Sequence, residues 1–193
     1  MEPIGDTDAA WMQELARGED SALNRLMDRW SEPLLRYLSR LTADADAAKD
    51  LAQESFVRVY RHRFDFRTSH KFSTWLFSIA TNLARNHARW RSRHLVSLVD
   101  TDEGGDVAHA AADPTPDETM IAAERQRAVQ RAIQALPHEL REAVILSSSH
   151  DMTQAQIAKV QDTTEKAVEV RLYRARKMLR DLLADTLSEN PRG

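Results

Sequence analysis

The chain has 193 residues, a formal net charge of -3, 42% apolar and 30% charged residues, and no cysteine. That is enough chain for one or two small soluble domains, each burying its own core. Disulfides, thiolate chemistry and cysteine-ligated zinc are excluded.

Ala, Leu and Arg are the commonest residues, glycines number five, and strand-type runs are scarce, so an all-α fold is expected. The start, Met-Glu-Pro-Ile-Gly-Asp, has no basic region followed by an apolar stretch. No run approaches the ~20 apolar residues of a membrane span, so no membrane insertion and a cytoplasmic location are expected.

In chain order, Ala9 to Arg17 reads as a first helix closed by Gly18-Glu19-Asp20. Ser21 to Leu41 carries an apolar stripe of Leu23, Leu26, Met27, Trp30, Leu34, Leu38 and Leu41. Asp44 or Asp46 can cap the next helix, in which Leu51, Ala52, Ser55, Phe56 and Val59 face inward. Arg63 to Lys71 reads as a loop. Beyond it Phe72, Trp75, Leu76, Ile79, Ala80 and Leu83 recur at helical spacing, which taken alone makes 72–93 one helix and Trp75 a core residue.

Charge is unevenly distributed. Asn82 to Leu98 holds Arg85, Arg89, Arg91 and Arg93 and no acid, whereas Asp100 to Glu118 holds seven acids and no Lys or Arg. The second segment, with Gly104-Gly105, Pro114 and Pro116 and no apolar period, is a linker. The domains are therefore expected at 8–95 and 119–187, with a connector at 96–118 and a tail at 188–193. Thr119 to Leu136, ended by Pro137, and Glu139 to Ser149 are the next two helices.

Thr153 is a cap for Gln154 to Val160, and after Gln161-Asp162-Thr163 breaks the apolar rhythm Thr164 offers a second cap. After Thr164, Val168, Leu172, Ala175, Leu179 and Leu182 recur at steps of four, three, four and three, which puts them on one side of a helix. The opposite side holds Glu169, Val170, Tyr173, Arg174, Lys177 and Arg180, flanked by Arg171 and Arg176, and the helix also carries Lys166. A cap, a short helix, a tight turn and a cation-rich second helix are the sequence shape of a helix-turn-helix, whose second helix enters the DNA major groove. No pair of the seven histidines has metal-ligand spacing, and no glycine-rich phosphate loop or nucleophile elbow stands out, which argues against an enzyme and for no metal or cofactor.

Laid end to end, the chain resembles the extracytoplasmic-function sigma factors, the two-domain specificity subunits of bacterial RNA polymerase. The resemblance rests on 50–56 (Asp-Leu-Ala-Gln-Glu-Ser-Phe), 72–76 (Phe-Ser-Thr-Trp-Leu) and 79–86 (Ile-Ala-Thr-Asn-Leu-Ala-Arg-Asn) in the first half. In the second it rests on Leu136-Pro137, Arg141-Glu142, 154–160 and 171–176.

The resemblance implies a sigma-2-like bundle and a sigma-4-like four-helix domain, serving core polymerase (its beta-prime and beta subunits), promoter DNA and an anti-sigma factor. It implies that Asp50, Gln53, Glu54, Val57 and Arg58 face the polymerase. It implies that Asn82, Arg85, Asn86, Arg89, Trp90, Arg91 and Arg93 serve the minus-ten element, with melting, a flipped base and a helix break near Asn82. Thr164, Lys166, Glu169, Val170, Arg171, Tyr173, Arg174 and Lys177 would read the minus-thirty-five element. The linker would thread the polymerase cleft, its acidity mimicking nucleic acid.

Two departures from the family pattern stand out. Ala47-Ala48-Lys49-Asp50 replaces an acidic cluster, and Glu169-Val170 stands where a base and a small hydroxyl residue are usual. Glutamate can accept from cytosine N4 and valine can touch a thymine methyl, so an altered minus-thirty-five preference is expected. The competing reading is a conventional two-domain helix-turn-helix regulator with a signal-binding helical domain; the second basic surface after Asn82 is what such a sensor would not need.

Overall fold

The computed structural model describes residues 4–95, 116–149 and 152–188, and among them the secondary structure is entirely helical. Helices α1 (Ile4–Ala16), α2 (Ser21–Thr42), α3 (Ala45–Arg61) and α4 (Phe72–Leu95) form a first bundle. Helices α5 (Pro116–Ala135), α6 (His138–Ser149), α7 (Gln154–Gln161) and α8 (Glu165–Ser188) form a second. The expected linker lies outside the described residues except for 116–118, which open α5, and the tail lies outside them after Ser188.

Helix ends follow from particular residues. Gly18, at φ 98°, turns the chain out of α1. The α2 stripe is buried at Leu26, Leu34, Leu38 and Leu41, but Met27 is exposed. Ala43 ends α2 in a left-handed conformation, its N–H bonded to Ser39 O, and Asp44 then caps α3 by accepting from Ala47 N at 2.9 Å. Of the two capping candidates, Asp44 is the cap; Asp46 pairs with Lys49 at 3.2 Å instead.

Helix α4 runs without a break from Phe72 to Leu95, which corrects the expected interruption near Asn82. No Gly or Pro lies between those residues. Phe77, Ala80, Leu83 and Ala84 continue the buried stripe through that point, and Asn82 sits on the solvent side. Periodicity outweighs the family precedent there.

The first core is aromatic. Phe77 meets Tyr37 edge-on at 5.1 Å and Trp30 at 6.2 Å, and Phe66 covers Trp75 at 5.3 Å. Trp75 is half-buried against this cluster. In the second bundle Ile133, Ile145, Leu146, Ile157, Val160, Val168 and Leu172 are buried together. The bundles pack on each other, α4 against α7 and α2 against α6.

Candidate nucleic-acid and polymerase interfaces

Three helix faces carry the expected site residues. On α3, Asp50, Gln53 and Val57 are exposed opposite the buried Leu51, Ser55, Phe56 and Val59. Glu54 and Arg58 are half-exposed and pair with each other at 3.0 Å.

On α4 the expected residues separate. Asn82, Asn86, Arg89, Trp90, Arg91 and Arg93 are exposed, and Asn82 lines a cleft of about 210 Å3 with Arg58, His62, Asp65, Trp75 and Ile79. Trp90 is 53% exposed; His94 stacks on it at 4.3 Å and His87 at 6.4 Å. Arg91 pairs with Asp44 at 3.1 Å, and Arg93 donates to Arg89 O at 3.2 Å.

Arg85 alone turns inward. Its Nε and Nη2 donate to Glu142 Oε1 and Oε2 at 2.8 and 2.6 Å, a two-bond fork onto a side chain with no solvent exposure. The hydrogen bonds it donates to Glu142 hold the Arg85 guanidinium above its ordinary pKa. Burial pushes the Glu142 carboxyl up, but hydrogen bonds from His138 and Arg85 and their charges outweigh it, and the pKa falls to about 2. Burial, reinforced by the Glu142 charge, pushes the nearby Tyr37 phenol well above its usual value.

On the helix-turn-helix both expected caps form. Thr153 and Gln156 make a reciprocal capping box on α7, and Thr164 Oγ1 accepts from Ala167 N at 3.2 Å. Asp162, at φ 52°, makes the turn, with Thr163 N reaching Ala158 O at 2.9 Å. The outward face of α8 then presents Thr164, Lys166, Glu169, Val170, Tyr173, Arg174 and Lys177, all exposed, Tyr173 at 70%. Glu169 is paired with Lys166 at 2.8 Å. Arg171 is different: it folds back on Glu139 at 2.8 Å and on Gln161 Oε1 at 3.0 Å.

Gln161 in turn donates to Glu142 Oε2 at 3.0 Å, so Arg171, Gln161, Glu142 and Arg85 form one polar chain from α8 to α4. Residue patterns do not announce this chain, because its bonded partners lie up to 57 positions apart. A second feature without an assigned role at the sequence level is Phe64, 68% exposed in the loop after α3, with the Arg63 guanidinium 4.4 Å from its ring centroid. The adjacent exposed aromatic and arginine are its signal. Among the described residues no three His, Asp or Glu side chains gather as a metal would require, and no helix is long and apolar enough to cross a membrane.

Residues 26–94 match the Sigma-70 region 2 family and residues 126–179 the Sigma-70 region 4 family. The RNA polymerase sigma-H factor of Pseudomonas aeruginosa is 31% identical over 188 residues, covering 95% of this chain and 97% of that protein. The ECF RNA polymerase sigma-E factor of Haemophilus influenzae is 32% identical over 177 residues, covering 90% and 93%. The fold is also that of CnrH, solved in complex with the cytosolic domain of CnrY, with a TM-score of 0.70, 24% identity and coverage of 93% and 99%. The sigma factor RpoE of Bartonella quintana, solved in complex with the anti-sigma factor NepR, matches with a TM-score of 0.70, 21% identity and coverage of 83% and 96%. The two family matches and these relatives make this chain a transcription initiation factor of the sigma-70 kind. The chain belongs to the extracytoplasmic-function group of the sigma-70 family of RNA polymerase sigma factors.

Proposed function

We propose that this chain docks on core RNA polymerase, directs it to bipartite promoters and opens the minus-ten region without catalysing any reaction itself. The observation that carries this reading is the pair of cation-bearing helix faces, on α4 and on α8, within one chain of the sigma-70 family.

The division of labour follows from side-chain chemistry. The α3 face, with exposed Asp50, Gln53 and Val57 beside Glu54 and Arg58, is the polymerase-docking face on the beta-prime subunit, with further contacts to beta. Lys49, which departs from the family's acidic run, is held by Asp46, so the local charge is partly compensated.

The α4 face takes the minus-ten strand. Arg89, Arg91 and Arg93 meet phosphates, which position the strand without reading it. Trp90, already stacked between two imidazoles, offers a π-face to a base or sugar. The cleft of Asn82, Trp75 and Ile79 combines an aromatic wall with an amide able to read a base edge, as an unstacked base requires.

The α8 face takes the minus-thirty-five duplex. Arg174 and Lys177 meet guanine or phosphate, Glu169 accepts from a cytosine amine, and Val170 contacts a thymine methyl. The partner class includes an anti-sigma factor, as the Bartonella quintana sigma factor has, and the working location is the cytoplasm.

Run-off transcription with core polymerase on promoter fragments tests the reading. Start-site-specific transcripts that depend on the added chain are expected; strong binding to duplex DNA alone, with no directed initiation, would replace it with a conventional helix-turn-helix regulator.

A further inference from the structure

The last carbonyls of a helix have no partner within it. Two of those at the end of α2 are met from the second bundle: Gln134 Nε2 donates to Arg40 O at 2.6 Å, and Arg141 Nη1 to Leu41 O at 3.2 Å. Beside them lies the Arg85 fork on buried Glu142. The contact between the bundles is therefore specific and polar as well as apolar.

Arg85 is also the first guanidinium of the basic run on α4, one turn beyond Asn82 and beside Asn86. The Nε–Nη2 edge of a guanidinium fits a carboxylate or a phosphate in the same two-bond geometry, and that edge cannot hold both at once. Glu142 thus stands where a DNA phosphate would stand. Its own position does not depend on Arg85 alone, because His138 Nδ1 at 2.9 Å and Gln161 Nε2 at 3.0 Å remain to it. Losing Arg85 does not leave the buried carboxylate without partners, so the exchange is reversible.

We propose that Arg85 alternates between two exclusive partners, Glu142 in the packed arrangement and the phosphate backbone of the minus-ten strand in an open one, so that the chain masks part of its own melting surface. The inference rests on the minus-ten reading of α4 given above. It gives the two DNA surfaces different accessibility. The outward face of α8 is exposed in the packed arrangement, so duplex contact does not require opening, whereas the Arg85 end of α4 does.

The chain has no cysteine, so two introduced thiols can carry spin labels in an otherwise unaltered chain. Lys49→Cys in α3 and Arg176→Cys in α8 are exposed positions in different bundles. The label-to-label distance distribution should be single and narrow. Arg85→Gln should broaden it towards longer distances, with about a tenfold loss of packed over open molecules, as removing a charge-assisted pair implies. A broad distribution in the parent chain, or no change in Arg85→Gln, overturns the latch without touching the sigma-factor reading.

The exchange is tested by anisotropy with a fluorescein-labelled single-stranded DNA of mixed sequence. Glu142→Gln should bind it about tenfold more tightly than the parent, and Arg85→Gln, opened but lacking the fork, should show no such gain. Gln134→Ala repeats the measurement with the buried site intact and should gain a few-fold, the size expected for one neutral hydrogen bond. An open Arg85→Gln protein together with unchanged DNA affinity in both Glu142→Gln and Gln134→Ala overturns the exchange.

Discussion

The hydroxyls of Tyr37 on α2 and Thr81 on α4 lie 2.7 Å apart inside the first bundle. Thr81 has a single hydroxyl proton, and it goes to Phe77 O at 2.7 Å, so Tyr37 is the donor and Thr81 the acceptor. Tyr37→Phe keeps the ring against Phe77 and removes that bond. The variant should lose about 1 kcal/mol of unfolding free energy, read by urea denaturation, with the slope unchanged.

The α7 capping box makes a second prediction. Thr153→Ala removes the acceptor for Gln156 N and should cost about 1 kcal/mol. Amide exchange of 154–157 should accelerate, while exchange in α2 and α3 should stay as in the parent. Equal acceleration everywhere would show that the cap supports the whole chain.

Acid should act through Glu142. Its folded-state pKa, about 2, lies below the ordinary value of 4.5, so its contribution to stability is complete above about 4.5 and is lost as the pH falls towards 2. Within that window the loss should approach about 1.4 kcal/mol per pH unit. Glu142→Gln should flatten the profile there. Asp8, which burial raises before Arg29 and Trp30 partly offset it, favours the folded state on protonation, so the comparison with Glu142→Gln isolates the Glu142 part.

Arg171 and Arg174, three positions apart on α8, should separate cleanly. Arg174→Ala should leave the thermal midpoint unchanged, weaken binding to a minus-thirty-five duplex by about tenfold or more, and reduce the salt slope by about one. Arg171→Ala removes the ties to Glu139 and Gln161 and should lower the midpoint. The pattern reversed would assign the base-reading role to Arg171.

The difference between these two arginines marks how far the sequence is legible. Caps at Asp44, Thr153 and Thr164 and the buried side of α8 follow from interactions within four residues, and local pattern reveals them. Periodicity likewise carries α4 straight through Asn82, where a family precedent pointed to a break. Arg85 and Arg171 read as outward cations because their partners, Glu142, Gln161 and Glu139, are supplied by tertiary packing. Met27 belongs to the α2 stripe by spacing but stays 36% exposed. Spacing defines which side a residue is on; only the packed neighbours define whether that side is covered.

An unbroken α4 has a mechanical consequence. Phe72, locked in the aromatic core, and Trp90, stacked in solvent between two histidines, are eighteen positions apart on one rod, about 27 Å at the helical rise. With no hinge between them, the distance from anchor to tip is set by the backbone alone. The helix works as a ruler: on the minus-ten reading proposed above, the separated strand would meet Trp90 at that fixed reach wherever the first bundle is seated, and a one-residue insertion after Leu83 would swing the tip by about 100° around the axis and move it out of line with the cleft.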